Sequence, residues 1–508
     1  MTTQTKMMIK LEEPQMLFNF GQTMNDPRDG LTLFGPLENN KPYGIRSGVI
    51  STKDGLRKFK SYLDSIQKPV FNNNSNTRPF FPGFEAVFGM PWKSSAITHL
   101  EITDIELGKV LYHEDVHTRT YDLVGLISDR LIKAKSDEDD GTADLWFIVM
   151  PDEVYQHCRP NSTIKPDLIV TKKTISKSTA KKFLAAPSFF DEINVAAEPF
   201  KYDADFHNQL KARLLPYAMP TQLVRESTLA PHEYLNGFGQ PKRDFSKIAG
   251  HLAWTLSTAA FYKTGGRPWK LHNIRPGVCY LGLVYKQDER HSNPRNACCA
   301  AQMFLDSGDG IVFKGAVGPW YNPKRGDFHL KKKQAKELLE VALKSYISKE
   351  GSPPLELFIH AKTTFNDEEW EGFESAVTET TNLVGVTIKN NVPLKIYRAD
   401  SRFPMLRGLA YIEDEKRAYL WTKGYVPRLE TSLAMEVPNP LFIEISQGSC
   451  PIEIVLKDVF ALTKLNYNAC VYGDGEPVTL RFADIIGEVL TAAPLGETTP
   501  PLSFKYYI

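Results

Sequence analysis

The sequence predicts an α/β fold, on two observations: strands and helices alternate along its first half, and its length exceeds what one core accommodates. IRSGVIS (Ile45 to Ser51) has the pattern of a buried strand, and LWFIVMP (Leu145 to Pro151) is a continuous apolar run of the kind that forms a central parallel strand. Between them, Lys53 to Ile66 sets Leu56, Phe59, Tyr62 and Leu63 on one face of an amphipathic helix. Strand, helix, strand alternation implies an open sheet that binds its ligands at the carboxyl ends of the strands, so polar side chains after such strands are the ones to inspect. A chain of 508 residues implies roughly two to four domains.

Composition narrows the function classes. With 42% hydrophobic and 24% charged residues and a mean hydropathy of -0.31, the chain is of ordinary globular type. Its net charge of +1 excludes a uniformly basic coat, so any nucleic-acid binding must come from a local channel. Six cysteines (Cys158, Cys279, Cys298, Cys299, Cys450 and Cys470) show no CxxC spacing, and the adjacent Cys298 and Cys299 suit neither a disulfide nor a zinc site. Reduced thiols of a cytoplasmic protein are expected. The opening MTTQTKMMIKLEEP lacks an apolar signal core, and no run of about eighteen apolar residues occurs anywhere, so no membrane span is expected.

In chain order, residues 17–37 (LFNFGQTMNDPRDGLTLFGPL) break their apolar alternation at Asp26, Pro27 and Arg28 and again at Gly30, Gly35 and Pro36, which is strand and turn punctuation. NNNSN at 72–76 is a loop. A helix is expected over Leu123 to Leu131, followed by an exposed acidic loop, SDEDDGT, at 136–142. Lys172, Lys173, Lys177, Lys181 and Lys182 then crowd one segment, as a solvated surface or as a track for phosphates. Farther on, LKKKQAKELLEVALKSYISK is an amphipathic helix with Leu338, Leu339 and Leu343 inward.

The stretch with the most chemistry is DFHNQLKARLLPYAMPTQLV, Asp205 to Val224. His207 and Lys211, four residues apart, share a helix face, and Gln222 follows eleven residues after Lys211 in a short apolar run that begins a strand. Such a set describes a cradle for an anion such as a terminal phosphate, and equally a solvated helix face. The helix pair, the gap and the glutamine resemble the guide 5′-phosphate pocket in the MID domain of Argonaute proteins. Lys263, in FYKTGGRPWKL (Phe261 to Leu271), resembles the later lysine of that pocket in its Lys-x-Gly-Gly-x-Pro-Trp setting at the MID to PIWI junction. The resemblance implies a Rossmann-like MID domain over 1–270 and an RNase H-like PIWI domain over 271–508. It also implies that Ile508 supplies a terminal carboxylate to the pocket, and that Mg2+ at the guide phosphate is held by Gln222 and Ile508.

Active PIWI domains cut nucleic acid with a carboxylate tetrad, because two divalent ions about 4 Å apart need several oxygen ligands. Here VCYLGLVYK (Val278 to Lys286) puts Val284 at the first ligand position, and ELFIHAKTTFNDEEWEGF (Glu356 to Phe373) puts Lys362 at another. Asp367, Glu368 and Glu369 fall at the start of the next helix, whose positive end they complement. For the last ligand, expected near ALTKLNYNA before Pro477, the reading finds no carboxylate before Asp474, and the glutamate position is not placed. YLWTKGYVPR (Tyr419 to Arg428), PNPLFIEI (Pro438 to Ile445) and PVTLRFADIIGEVL (Pro477 to Leu490) continue the PIWI likeness.

The resemblance, including the LFNFGQTMNDPRDGL opening, is to a short, catalytically inactive prokaryotic Argonaute. It implies a sensor that holds a 5′-phosphorylated guide RNA, recognises single-stranded target DNA and activates NAD hydrolysis in a TIR-APAZ partner, as an antiviral or antiplasmid defence. A sirtuin-like APAZ partner is the alternative, and a guide-directed nuclease a further one. A dinucleotide-binding enzyme is disfavoured, because no GxGxxG follows a strand.

Overall fold

The structure, a computed structural model, describes residues 6–72, 80–95, 97–137, 143–242, 244, 248–272, 274–287, 296–305, 310–319, 321–322, 327–399, 401–433, 437–494 and 502–508, with the backbone alone at 287–327. Most of the asparagine-rich and acidic loops expected at 72–76 and 136–142, and the side chains of Cys298 and Cys299, lie outside these residues.

The apolar run at Leu145–Met150 is one of the two inner strands of a four-stranded parallel sheet, ordered Ile97–Glu101, Ser47–Ser51, Leu145–Met150, Thr221–Arg225. All six of its residues are buried because both faces are covered. Phe147 and Val149 pack with Phe59 and Leu63 of the Lys53–Ser65 helix. Trp146, Ile148 and Met150 pack with Leu123, Ile127 and Leu131 of the Val116–Ser136 helix and with Leu210 of the Phe206–Leu214 helix. The Lys53–Ser65 helix starts where it does because the Thr52 hydroxyl accepts from the Gly55 amide at 3.0 Å, satisfying one otherwise unpaired donor.

Asp26, Pro27 and Arg28 are the start of a helix, Pro27–Phe34, and not the expected turn punctuation. Asp26 caps it by accepting from the Arg28 amide at 3.0 Å, and Pro27 occupies the first helical position, where its missing N–H costs nothing. Gly30 is inside this helix because a Cβ there would lie 2.2 Å from the Phe18 ring.

Nine strands of the second half of the chain and one from its beginning form a ten-stranded sheet, ordered Met7–Lys10, Leu409–Ile412, Arg417–Leu420, Leu441–Gln447, Asn382–Lys389, Glu356–Ala361, Val278–Gln287, Asn296–Leu305, Gly310–Pro319, Leu502–Ser503. At its centre, Val278–Gln287 pairs parallel with Glu356–Ala361. One face packs Leu281, Leu283, Leu357 and Ile359 against Leu338, Leu339 and Leu343 of the Lys332–Glu350 helix, as the amphipathic pattern predicts. Against the other face lies the Val478–Thr491 helix, approaching so closely that a Cβ on Gly282 would sit 1.9 Å from the Thr479 carbonyl oxygen.

The expected boundary at 270 to 271 falls within the two-residue strand Lys270–Leu271, which pairs with Met16–Leu17. Met7–Lys10 crosses over to the large sheet, and Trp269, buried, donates its indole N–H to the Lys464 carbonyl oxygen at 3.0 Å. Among the described residues no helix is long and apolar enough to cross a membrane.

Candidate functional site

Asp205 caps the Phe206–Leu214 helix by accepting from the Asn208 amide at 3.0 Å. That start places His207 in the first turn and Lys211 one turn later, where it faces the Thr221–Arg225 strand. The Lys211 ammonium donates to the Thr221 carbonyl oxygen at 2.9 Å and to the Ile508 oxygen at 2.7 Å. Lys263, last residue of the Ala249–Lys263 helix, donates to the same Thr221 oxygen at 3.1 Å and to Gln222 Oε1 at 2.7 Å. Lysines from two helices thus converge on one carbonyl of the strand, with Gln222 and Ile508 accepting from one lysine each.

Both lysines are only 1% exposed, and neither has an Asp or Glu partner among the described residues. Burial alone holds the Lys211 ammonium down to about 7. Burial, and then the charge of Lys211, holds Lys263 well below its ordinary value. His207 borders the same cleft as Gln222, and burial followed by the nearby Lys211 charge brings its ring to about 4, so it is neutral at physiological pH. Its Nδ1 is 3.2 Å from Asn208 Oδ1. A buried cation without a charged partner is unfavourable, and a bound anion relieves that cost.

A cleft of about 390 Å³ is bordered by His207 and Gln222 together with Tyr155, Arg225 and Thr255; Lys211, Lys263 and Ile508 do not line it. The Tyr155 hydroxyl and Thr255 Oγ1 are buried with no hydrogen-bond partner among the described residues, and the Arg225 guanidinium lies 4.7 Å from the Tyr155 ring centroid. Sequence reading missed Tyr155, Arg225 and Thr255. The rule that polar side chains after a central strand matter points to Tyr155, which lies on the Asp152–His157 helix just past Met150.

The two oxygens expected to ligate Mg2+, from Gln222 and Ile508, are each bound by a lysine, yet each retains a second lone pair. No group of three or more His, Cys, Asp or Glu side chains suited to a metal occurs among the described residues. The donor set fits a Mg2+ ion that takes its remaining ligands from a phosphate and water.

In the large sheet, Val284 and Lys362 do come together: continuing the register that pairs Ala361 with Leu283 sets them side by side, on the face covered by the Val478–Thr491 helix. That helix brings a carboxylate which the sequence reading did not find. Asp484 accepts from Lys362 and lies 3.4 Å from the Lys286 ammonium, while Glu488 is 3.3 Å from Lys286. Asp484 follows Pro477, on the helix, and not the ALTKLNYNA segment before it. The acids Asp367, Glu368 and Glu369 occupy the first turn of the Asp367–Glu374 helix, as expected, and Glu369 is buried, accepting from the Leu330 amide at 3.0 Å. His360, also buried, sets its Nδ1 2.9 Å from Thr479 Oγ1 and is brought by burial to about 3.

No family model matches the sequence, and no curated protein matches it. Solved structures do match. Clostridium butyricum Argonaute, solved with a guide DNA carrying a 5′ deoxycytidine and a 19-mer target DNA, aligns with a TM-score of 0.63 at 14% identity, over 99% of this chain and 55% of that one. Drosophila Piwi aligns with a TM-score of 0.57 at 12% identity, over 98% of this chain and 56% of that one. A. aeolicus Argonaute aligns with a TM-score of 0.52 at 14% identity, over 97% of this chain and 54% of that one. The fold is thus of Argonaute type, an α/β architecture of MID followed by PIWI, and the chain spans about half the length of the proteins it matches.

Proposed function

We propose that the chain is the sensing subunit of a short prokaryotic Argonaute, and that it holds a 5′-phosphorylated guide RNA at His207, Lys211, Gln222, Lys263 and Ile508. One observation carries this reading: two buried ammonium groups meet at the Thr221 carbonyl oxygen with no carboxylate side chain to balance them. With the Ile508 carboxylate beside Lys211, a terminal phosphate completes the balance of the two lysines and accepts from both of them, from the Gln222 amide and from the neutral His207 ring. Mg2+, when bound, neutralises part of the phosphate charge, with Gln222 and Ile508 as its protein ligands.

The guide then pairs with single-stranded target DNA, base pairing reading the sequence while the protein reads backbone shape. The chain itself cuts no target, because Val284 contributes no ligand and the Lys362 ammonium occupies Asp484. Pairing instead biases assembly with a TIR-APAZ partner, whose TIR domain hydrolyses NAD in the cytoplasm as an antiviral response. The LFNFGQTMNDPRDGL opening and His207 are what favour the TIR-APAZ partner over a sirtuin-like one.

The test compares 5′-phosphate and 5′-hydroxyl guides of one sequence by fluorescence anisotropy. Preference for the phosphate, lost in Lys211→Glu, supports the pocket; equal affinity for the two guides sinks it.

A further inference from the structure

We infer that Tyr155 and Thr255 recognise the sugars of the guide's first two nucleotides, exchanging hydrogen bonds with ribose 2′-hydroxyls, and so set a preference for an RNA guide over a DNA guide. This assignment rests on the guide reading proposed above and adds to it the residues that tell the two sugars apart.

The cleft bordered by His207 and Gln222 runs on from the phosphate site along one helix face. Thr255, Ala259 and Lys263 follow one another at intervals of four on the Ala249–Lys263 helix, which sets them on one side of it. Lys263 donates to Gln222 Oε1 at the near end, while Ala259, with only a methyl to take up room, and Thr255 border the cleft itself. At about 1.5 Å of rise per residue, Thr255 stands about 12 Å along the helix from Lys263. That span carries a strand anchored by its 5′-phosphate past the sugar of its first nucleotide to that of its second. Tyr155, on the Asp152–His157 helix, also borders the cleft, its ring edge-on to Phe206, the neighbour of His207, with centroids 5.7 Å apart.

The far end of the cleft is polar and unpaired. Tyr155 Oη and Thr255 Oγ1 are buried without a hydrogen-bond partner among the described residues, where folding ordinarily leaves few such groups. Thr228 and Asn468 also border the cleft, but neither leaves a buried side-chain polar atom unpaired. The Arg225 guanidinium lies over the Tyr155 ring, and among the described residues no Asp or Glu borders the cleft. A phosphodiester suits the guanidinium, being charged and purely an acceptor. The two hydroxyls have different needs, since each has a proton to give and lone pairs to fill. Phosphodiester oxygens can take the proton only, whereas a ribose 2′-hydroxyl both donates and accepts. Deoxyribose does neither and leaves both groups buried and unsatisfied.

The test titrates the full chain by anisotropy with 5′-phosphorylated guides of one sequence: all ribose, 2′-deoxy at the first two nucleotides only, and 2′-deoxy at two nucleotides near the 3′ end. The parent is expected to bind the first and third alike and the second about tenfold more weakly. In Tyr155→Phe/Thr255→Val, which removes both hydroxyls and little else, that difference should vanish. A guide with 2′-fluoro at its first two nucleotides keeps the ribose pucker without a proton to donate, and should bind the parent as weakly as the deoxy guide does. The assignment is overturned if the parent binds ribose and deoxy guides equally, if the 2′-fluoro guide binds like ribose, or if the double variant keeps the full difference. The first two outcomes are read on unaltered protein, so a variant that fails to fold leaves the assignment open to refutation. Preference for 5′-phosphate over 5′-hydroxyl, measured with the all-ribose sequence, separates the two readings. If it holds while sugar discrimination is absent, the sugar assignment alone fails; if it too is absent, the phosphate pocket fails.

Discussion

Lys211 and Lys263 donate to a single carbonyl oxygen, that of Thr221, at 2.9 and 3.1 Å, although they lie on different helices and are both buried. Burial depresses the proton affinity of both, and the charge of Lys211 depresses that of Lys263 further.

Removing one of these lysines should weaken guide capture. Lys211→Met is expected to cost about 1.5 to 3 kcal/mol of affinity for a 5′-phosphorylated guide, and Lys211→Glu more, because it adds repulsion. Affinity for a 5′-hydroxyl guide should change little in either variant. Titrating both guides against both variants decides it.

Protonation gives an independent check. Lys211 releases its proton near 7 in the folded protein and near 10.5 when unfolded, so between these values the unfolded chain binds more protons. The stability deficit caused by this buried lysine is therefore full below pH 7 and shrinks as pH rises toward 10.5. Relative to Lys211→Met, wild-type protein should gain stability over that interval in denaturant titrations. A 5′-phosphate favours the charged lysine, so guide binding at pH 8 should take up protons, seen by calorimetry in buffers of different ionisation enthalpy. At pH 6, with Lys211 already protonated and the His207 ring still neutral at about 4, that uptake should diminish.

With Asp484 already in place on the face shared by positions 284 and 362, Val284→Asp/Lys362→Asp gathers three carboxylates. Divalent metals bind such oxygen clusters and stabilise the folded state in proportion to occupancy. Mn2+ should raise the melting temperature of the double variant and not that of the parent, and the parent should cut no guide-matched target at any Mn2+ concentration.

Gly282→Ala tests the packing beneath this site. Its Cβ would meet the Thr479 carbonyl oxygen at 1.9 Å, a contact with backbone that no rotamer relieves. A loss of about 1 to 3 kcal/mol in unfolding free energy is expected. An unchanged denaturant midpoint would show that the helix shifts away freely.

The partner reading makes its own demand. Alone, the chain should hydrolyse no NAD; co-expressed with its genomic neighbour and loaded with guide, it should do so only once complementary target is added. NAD loss from the isolated chain, or at full rate without target, contradicts the sensor role.

Local order was legible wherever it depends on near neighbours. The continuous run at Leu145–Met150, the amphipathic face of Lys53–Ser65 and the spacing of His207 and Lys211 each follow from periodicity, because strand and helix geometry fix which residues share a face. The helix at Pro27–Phe34 is also signalled, by an Asp cap and a proline at the first helical position, but Gly30 within it and Gly35 and Pro36 just after it weigh toward a turn.

Only the tertiary structure decided the rest, because contacts between distant segments leave no periodic trace. Lys211 meets the Ile508 oxygen across 297 positions, a contact that sequence likeness anticipated and only packing displays. Met7–Lys10 joins the edge of a sheet built some 400 residues later, since an apolar strand is bound by whichever edge the fold leaves open. Asp484 reaches Lys362 because Gly282, having no side chain, lets the last helix settle onto the sheet. Residue types and spacings along the chain determined the candidate donors of the phosphate site, and the packing of helices against two sheets determined which of them share a carbonyl and which carboxylate faces the lysine.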